Sequence, residues 1–143
     1  MVRRNPNELR VRVVKRLPAY RDKAQISGKT ITITKRTSKT EIEHERGHYA
    51  LGHNLEKLPH TPTQYAREEL DAQLYAHNKT HRTPHIKMQL RAIANDMGYR
   101  EYHTPAKTVI KDVDKLMARK QTPVSWRSDW SKVRAEIKKV NPF

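Results

Sequence analysis

The stretch Ser38-Lys39-Thr40-Glu41-Ile42-Glu43-His44-Glu45-Arg46-Gly47-His48-Tyr49-Ala50-Leu51-Gly52-His53 decides how the rest of the chain is read. Ser38 followed three residues later by Glu41 has the form of a capping box, in which the two side chains satisfy amides left unpaired at a helix start. It predicts a helix from about Lys39 to Gly52. Residues four apart on a helix share a face, so His44 and His48 point the same way, with Glu45 projecting beside them. The same stripe carries Leu51 and Leu55, which predicts that the face turns inward. Buried imidazoles are costly unless they find partners. The His-Glu-x-x-His spacing supplies one, because it lets both rings reach a single Zn²⁺ at about 2.0–2.1 Å with the glutamate next to the ion's water.

Two histidines do not complete such a site, since a catalytic zinc takes three protein ligands and keeps a fourth position open. The chain has no cysteine, which excludes disulfides and thiolate ligands and leaves histidine and carboxylate as donors. The next predicted helix, Pro62 to about Asn78, has an apolar stripe of Tyr65, Ala72 and Ala76 with Glu69 in its middle. A carboxylate centred on a buried stripe is expensive without a compensating cation. Glu69 is therefore the expected third ligand, with Glu68 or Asp71 as the alternatives, and the small Ala72 and Ala76 are expected to let the two helices approach. His53 does not fit the metzincin pattern HExxHxxGxxH, because Gly52 and His53 follow His48 by four and five residues. It is expected to point away from the His44/His48 face, as a surface residue or one behind the ligands. His60, His77, His81, His85 and His103 lack ligand spacing to the pair.

Upstream, Leu9, Val11 and Val13 alternate with basic residues in the period of a half-buried strand. Ile26, Ile31 and Ile33 flank Ser27-Gly28, the signature of a hairpin turn. Downstream, Thr61-Pro62, Thr83-Pro84, Thr104-Pro105 and Thr122-Pro123 each predict a helix start, with threonine as N-cap and proline at the first helical position. Apolar residues follow at helical spacing: Ile86, Leu90, Ile93 and Met97, then Val109, Val113 and Leu116, then Trp126, Trp130, Val133, Ile137 and Val140. Gly98 reads as a helix stop, and the tryptophans read as core anchors. The fold class expected is α+β, a small N-terminal antiparallel sheet of about three strands followed by about five helices.

At 143 residues the chain reads as one domain. Its net charge of +15 is unevenly placed. Residues 1–37 hold 11 Lys/Arg against 2 Asp/Glu and residues 80–143 hold 14 against 6, while residues 38–79 hold 5 against 7. An acidic centre inside basic flanks fits attraction to nucleic acid or another polyanion, or simply a solvated basic surface. No stretch approaches the roughly 20 apolar residues of a membrane span, and the start lacks a secretory apolar region, so an intracellular protein without a membrane partner is expected. The oligomeric state has no sequence signal.

The run from His44 to His53, followed by Glu69-Leu70-Asp71-Ala72-Gln73-Leu74-Tyr75-Ala76, resembles the ImmA/IrrE-type metallopeptidases over about residues 24–80, and more loosely the minigluzincins. The ImmA/IrrE pattern is a HExxH helix after a small sheet, then a helix reading Glu-x-Glu-Ala-x-x-Phe-Ala. The resemblance implies a zincin-like fold, zinc ligands at His44, His48 and Glu69, a catalytic Glu45, and cleavage of peptide bonds, often in a DNA-bound repressor. Asp71 stands in place of the family's second glutamate, the Leu-Leu-Met-Pro-like segment after the second helix is absent, and so is the fused helix-turn-helix domain. From the residues themselves two functions are open: zinc-dependent peptide hydrolysis, with an oxyanion donor among Tyr49, Tyr75, Tyr102 or a later histidine, and nucleic-acid binding with a structural or inactive zinc site.

Overall fold

The computed structural model describes residues 3–17, 24–53, 61–82 and 85–140, the side chains of residues 99 and 100 excepted. Thr83-Pro84, Leu55 and His60 lie outside them. Three short strands come first: β1 (Arg10–Val13), β2 (Ala24–Ser27) and β3 (Thr30–Ile33). Five α-helices follow: α1 (Lys39–Ala50), α2 (Pro62–Thr80), α3 (Ile86–Asn95), α4 (Ala106–Met117) and α5 (Val124–Val140). The α+β class and the sheet-then-helices order are those expected.

The sheet order is β1-β3-β2. β2 and β3 form the expected hairpin, with Ser27 opposite Thr30 and Ile26 opposite Ile31. Gly28 sits in the turn at φ +57°, a left-handed conformation that costs glycine nothing. β1, however, runs parallel to β3, so the sheet is mixed and not wholly antiparallel. The period-two reading of the first strand is also corrected. Leu9 is buried with Ile31 and Tyr49, whereas Val11 and Val13 are 52% and 57% exposed. The helix that covers the sheet, α1, packs on β2 and β3.

Contacts along the chain gather into two compact units, residues 1–58 with 68–83, and residues 59–67 with 84–143. The first unit contains the sheet, α1 and most of α2. α1 opens as expected: Ser38 Oγ accepts from the Glu41 amide at 3.2 Å and the Glu41 carboxylate accepts from the Ser38 amide at 3.3 Å.

The second unit is an apolar helical cluster. The expected stripes are buried almost throughout, from Ile86, Leu90, Ile93 and Met97 to Trp126, Trp130 and Val133; toward the end of α5 Ile137 is half-buried and Val140 is 78% exposed. Trp126 and Trp130 are core residues, and the Trp130 indole N–H donates to Asp114 at 2.7 Å. Here Thr61 caps α2, its hydroxyl accepting from the Gln64 amide at 3.0 Å, with Pro62 in the first turn. The later pairs behave differently. Pro105 and Pro123 stand one residue ahead of α4 and α5, and Thr122 is buried with its hydroxyl donating to the Leu116 carbonyl at 3.0 Å. Proline in both cases ends the preceding loop and does not begin the helix. Gly98 does not stop α3 either, because the chain continues through a wider π-turn at Asp96–Arg100. Among the described residues no helix is long and apolar enough to cross a membrane.

Candidate metal centre

α1 presents His44 and His48 one turn apart, and α2 presents Glu69 to them. The close approach of the two helices is set by Gly47. A β-carbon added there would lie 2.9 Å from the Tyr75 β-carbon, inside van der Waals contact. The glycine between the histidines thus does the spacing that the sequence assigned to Ala72 and Ala76, although both alanines are fully buried.

Three donor groups converge. His44 Nε2 lies 3.1 Å from His48 Nε2 and 3.2 Å from one Glu69 oxygen, and His48 Nε2 lies 3.3 Å from the other. Around an ion with bonds of about 2.0–2.1 Å, tetrahedral ligands stand about 3.3–3.4 Å from one another. The observed separations are close to that value, with the two nitrogens facing different oxygens of Glu69, and this group could hold a metal ion. Neither Glu68 nor Asp71 belongs to it.

The electrostatics agree with a cation-seeking site. Burial opposes the ionised form of Glu69, but the two imidazoles outweigh it and hold the carboxyl well below the usual carboxylate range. For His44 burial also works against the charged ring, yet the hydrogen bond and charge of Glu69 prevail and raise its pKa. The centre therefore attracts positive charge. A single shared proton satisfies one edge of the triangle; a metal ion satisfies all three donors at once.

Behind the donors stand two partners. His44 Nδ1 is 2.6 Å from Gln73 Oε1, and His48 Nδ1 is 2.8 Å from His53 Nδ1. Gln73 was missed by the sequence reading; its signal is its place one turn beyond Glu69 on the same face. His53 was expected to point away, and this is corrected in part. It is 3% exposed and lies against His48, which leaves the second of its expected places, behind the ligands. The helical projection failed because α1 ends at Ala50. Gly52 then takes φ +74°, and the chain folds back so that the His53 amide donates to the His48 carbonyl at 3.0 Å. Burial, followed by the neighbouring His48, pushes the His53 pKa down to about 4, so its ring is neutral at physiological pH.

Glu45 lines a cleft of about 350 Å³ with His44, His48 and Glu69, whose other wall is Gln25, Ile26 and Ser27 of β2 and Thr32 of β3. Of the oxyanion donors considered, the Tyr49 hydroxyl is engaged with Glu8 at 3.0 Å, and Tyr75 faces Gly47 with Lys79 over its ring. Tyr102 belongs to the second unit, where it packs on Tyr65. Comparison with family models, with curated proteins and with solved structures finds no match for this chain.

Proposed function

We propose that this chain is a zinc-dependent metallopeptidase whose ion is held by His44, His48 and Glu69. The observation that carries the reading is the convergence of two imidazole nitrogens and one carboxylate, opening on a cleft that Glu45 shares. Two imidazoles and a carboxylate suit zinc, whereas magnesium and calcium prefer all-oxygen sets. Bound zinc supplies Lewis acidity and brings the pKa of water down toward 7. Glu45 is the general base: it takes a proton from the attacking water and passes it to the leaving amine. β2 favours a peptide as substrate. It is one of the two edges of the sheet, no strand among the described residues pairs with its outer side, and it forms one wall of the cleft. An extended chain can add to such an edge through main-chain hydrogen bonds. The likeness of residues 24–80 to ImmA/IrrE-type metallopeptidases supports the same assignment.

The test compares wild type with Glu45→Gln on an unstructured protein substrate, with zinc content measured for both. The expected result is one zinc per chain in each and a loss of cleavage of about 10²- to 10⁴-fold in the variant. Equal cleavage by the two removes Glu45 from its role.

A second reading, a nucleic-acid-binding protein whose metal site is structural or inactive, is favoured by one feature of α4. Lys107, Lys111 and Lys115 form an exposed stripe at intervals of four. Like charges at that spacing destabilise a helix by about 0.2–0.5 kcal/mol per pair. The acidic residues of α4 do not relieve them: Asp112 accepts from Thr63, and Asp114 accepts from Trp130 and pairs with Arg134. No ion pair to the three lysines occurs among the described residues. Affinity for duplex DNA measured across a salt series, with a slope of about −0.9 per phosphate contacted, supports this reading if no proteolysis accompanies it. No affinity at low salt removes it.

A further inference from the structure

We infer that His53 and Gln73 are positioning residues that hold His48 and His44 as Nδ1–H tautomers, leaving both Nε2 lone pairs directed at the ion; this rests on the metal-centre reading above. On the His44 side the amide oxygen of Gln73 can only accept, so at 2.6 Å it requires the hydrogen on Nδ1. Gln73 is 5% exposed, and bulk water has little access to replace it.

The His48 side holds two possibilities. A bond of 2.8 Å between two Nδ1 atoms contains one hydrogen. In the first arrangement His48 donates, its Nε2 is a bare lone pair, and His53 carries its own hydrogen on Nε2. In the second His53 donates, and His48 then carries its hydrogen on Nε2, 3.3 Å from Glu69. Both rings are neutral in each arrangement. Passing from the second to the first returns one proton from His48 Nε2 to solvent, moves the shared hydrogen onto His48 Nδ1, and takes one proton from solvent at His53 Nε2. Only the first arrangement offers a metal two imidazole lone pairs, so an ion selects it. The His48–His53 pair is a coupled tautomer whose state follows occupancy of the centre. The backbone holds this contact close to the ligand: Gly52 at φ +74° reverses the chain, and the His53 amide bonds to the His48 carbonyl.

The experiment uses the full chain labelled with ¹⁵N at histidine, loaded with zinc, and read by long-range ¹H–¹⁵N correlation of the rings. The expected spectrum has His44 and His48 protonated on Nδ1 and His53 protonated on Nε2. Zinc affinity is measured alongside by chelator competition. His53→Phe removes the acceptor and is expected to weaken zinc about 10- to 100-fold, as is Gln73→Leu, while His53→Asn and Gln73→Glu restore most of the loss. A zinc-loaded wild type with His48 protonated on Nε2, or a folded His53→Phe variant that binds zinc as tightly as wild type, overturns the inference. Should His53→Phe fail to fold, the wild-type spectrum decides alone. A wild type that takes up no zinc overturns the metal-centre reading and this inference together, whereas zinc with the wrong tautomer overturns only the latter.

Discussion

α1 and α4 are both 12 residues long, and they bury opposite chemistry. α4 buries Val109, Ile110, Val113, Leu116 and Met117. α1 buries Thr40, Gly47, His48 and Tyr49. Removing aliphatic side chains from water stabilises by roughly 25 cal/mol per Å², so α4 needs nothing beyond its neighbours to stay folded. α1 gains far less in that way and carries two imidazoles that face a carboxylate. Such an interior is stable only when the polar groups are satisfied, and His44, His48 and Glu69 form a group that could hold a metal ion. The second unit is organised by the hydrophobic effect, whereas the first joins a small apolar cluster of Leu9, Ile31 and Tyr49 to a group of polar donors.

Trp126→Ala is the harshest challenge to this contrast. Trp126 is 1% exposed, among the largest side chains fully enclosed. Truncating it costs about 3–5 kcal/mol, measured by urea unfolding, and the cost is expected to be the same with zinc and with chelator. Both tryptophans of the chain lie in the second unit, so their fluorescence follows that unit directly. A Trp126 cost that vanished in chelator erases the distinction between the two regions.

Metal removal addresses the other side. A ligand that binds only the folded state at 100 times its dissociation constant stabilises by about 2.7 kcal/mol. Zinc at that excess is expected to raise the unfolding midpoint of the first unit, read by histidine ring resonances, and Glu69→Ala is expected to abolish the rise. An equal response to zinc in Glu69→Ala means that the ion binds elsewhere.

The same contrast explains what could be read from the sequence. In the second unit the apolar positions at helical spacing named the core almost residue by residue, because burial depends only on hydrophobicity and period. Its misreadings were at element ends, where Pro105, Pro123 and Gly98 each obeyed local geometry that spacing does not encode. In the first unit the meeting of His44, His48 and Glu69 was legible because residues four apart share a helix face and a carboxylate on a buried stripe needs a partner. Gln73 and His53 were not, since a second layer of hydrogen bonds follows from where the chain goes after α1. The parallel pairing of β1 with β3 was hidden for a similar reason: alternation marks a strand but not its direction.

Gly47 carries the smallest of these effects and the most local. At Gly47 α1 and α2 meet too closely for an added β-carbon, with the obstacle a Tyr75 β-carbon fixed to its own backbone. Gly47→Ala therefore cannot be absorbed by rotating a flexible side-chain end. The overpacking is expected to cost about 1–3 kcal/mol, even though alanine is the better helix former by about 1 kcal/mol. Because the strain pushes α2 outward, Glu69 should retreat from the two imidazoles. Zinc affinity should then fall together with stability, as measured by chelator competition on the folded variant. If Gly47→Ala stabilised the chain with zinc affinity unchanged, helix propensity would outweigh crowding at this position. Gly47 would then have no part in setting the distance across the centre.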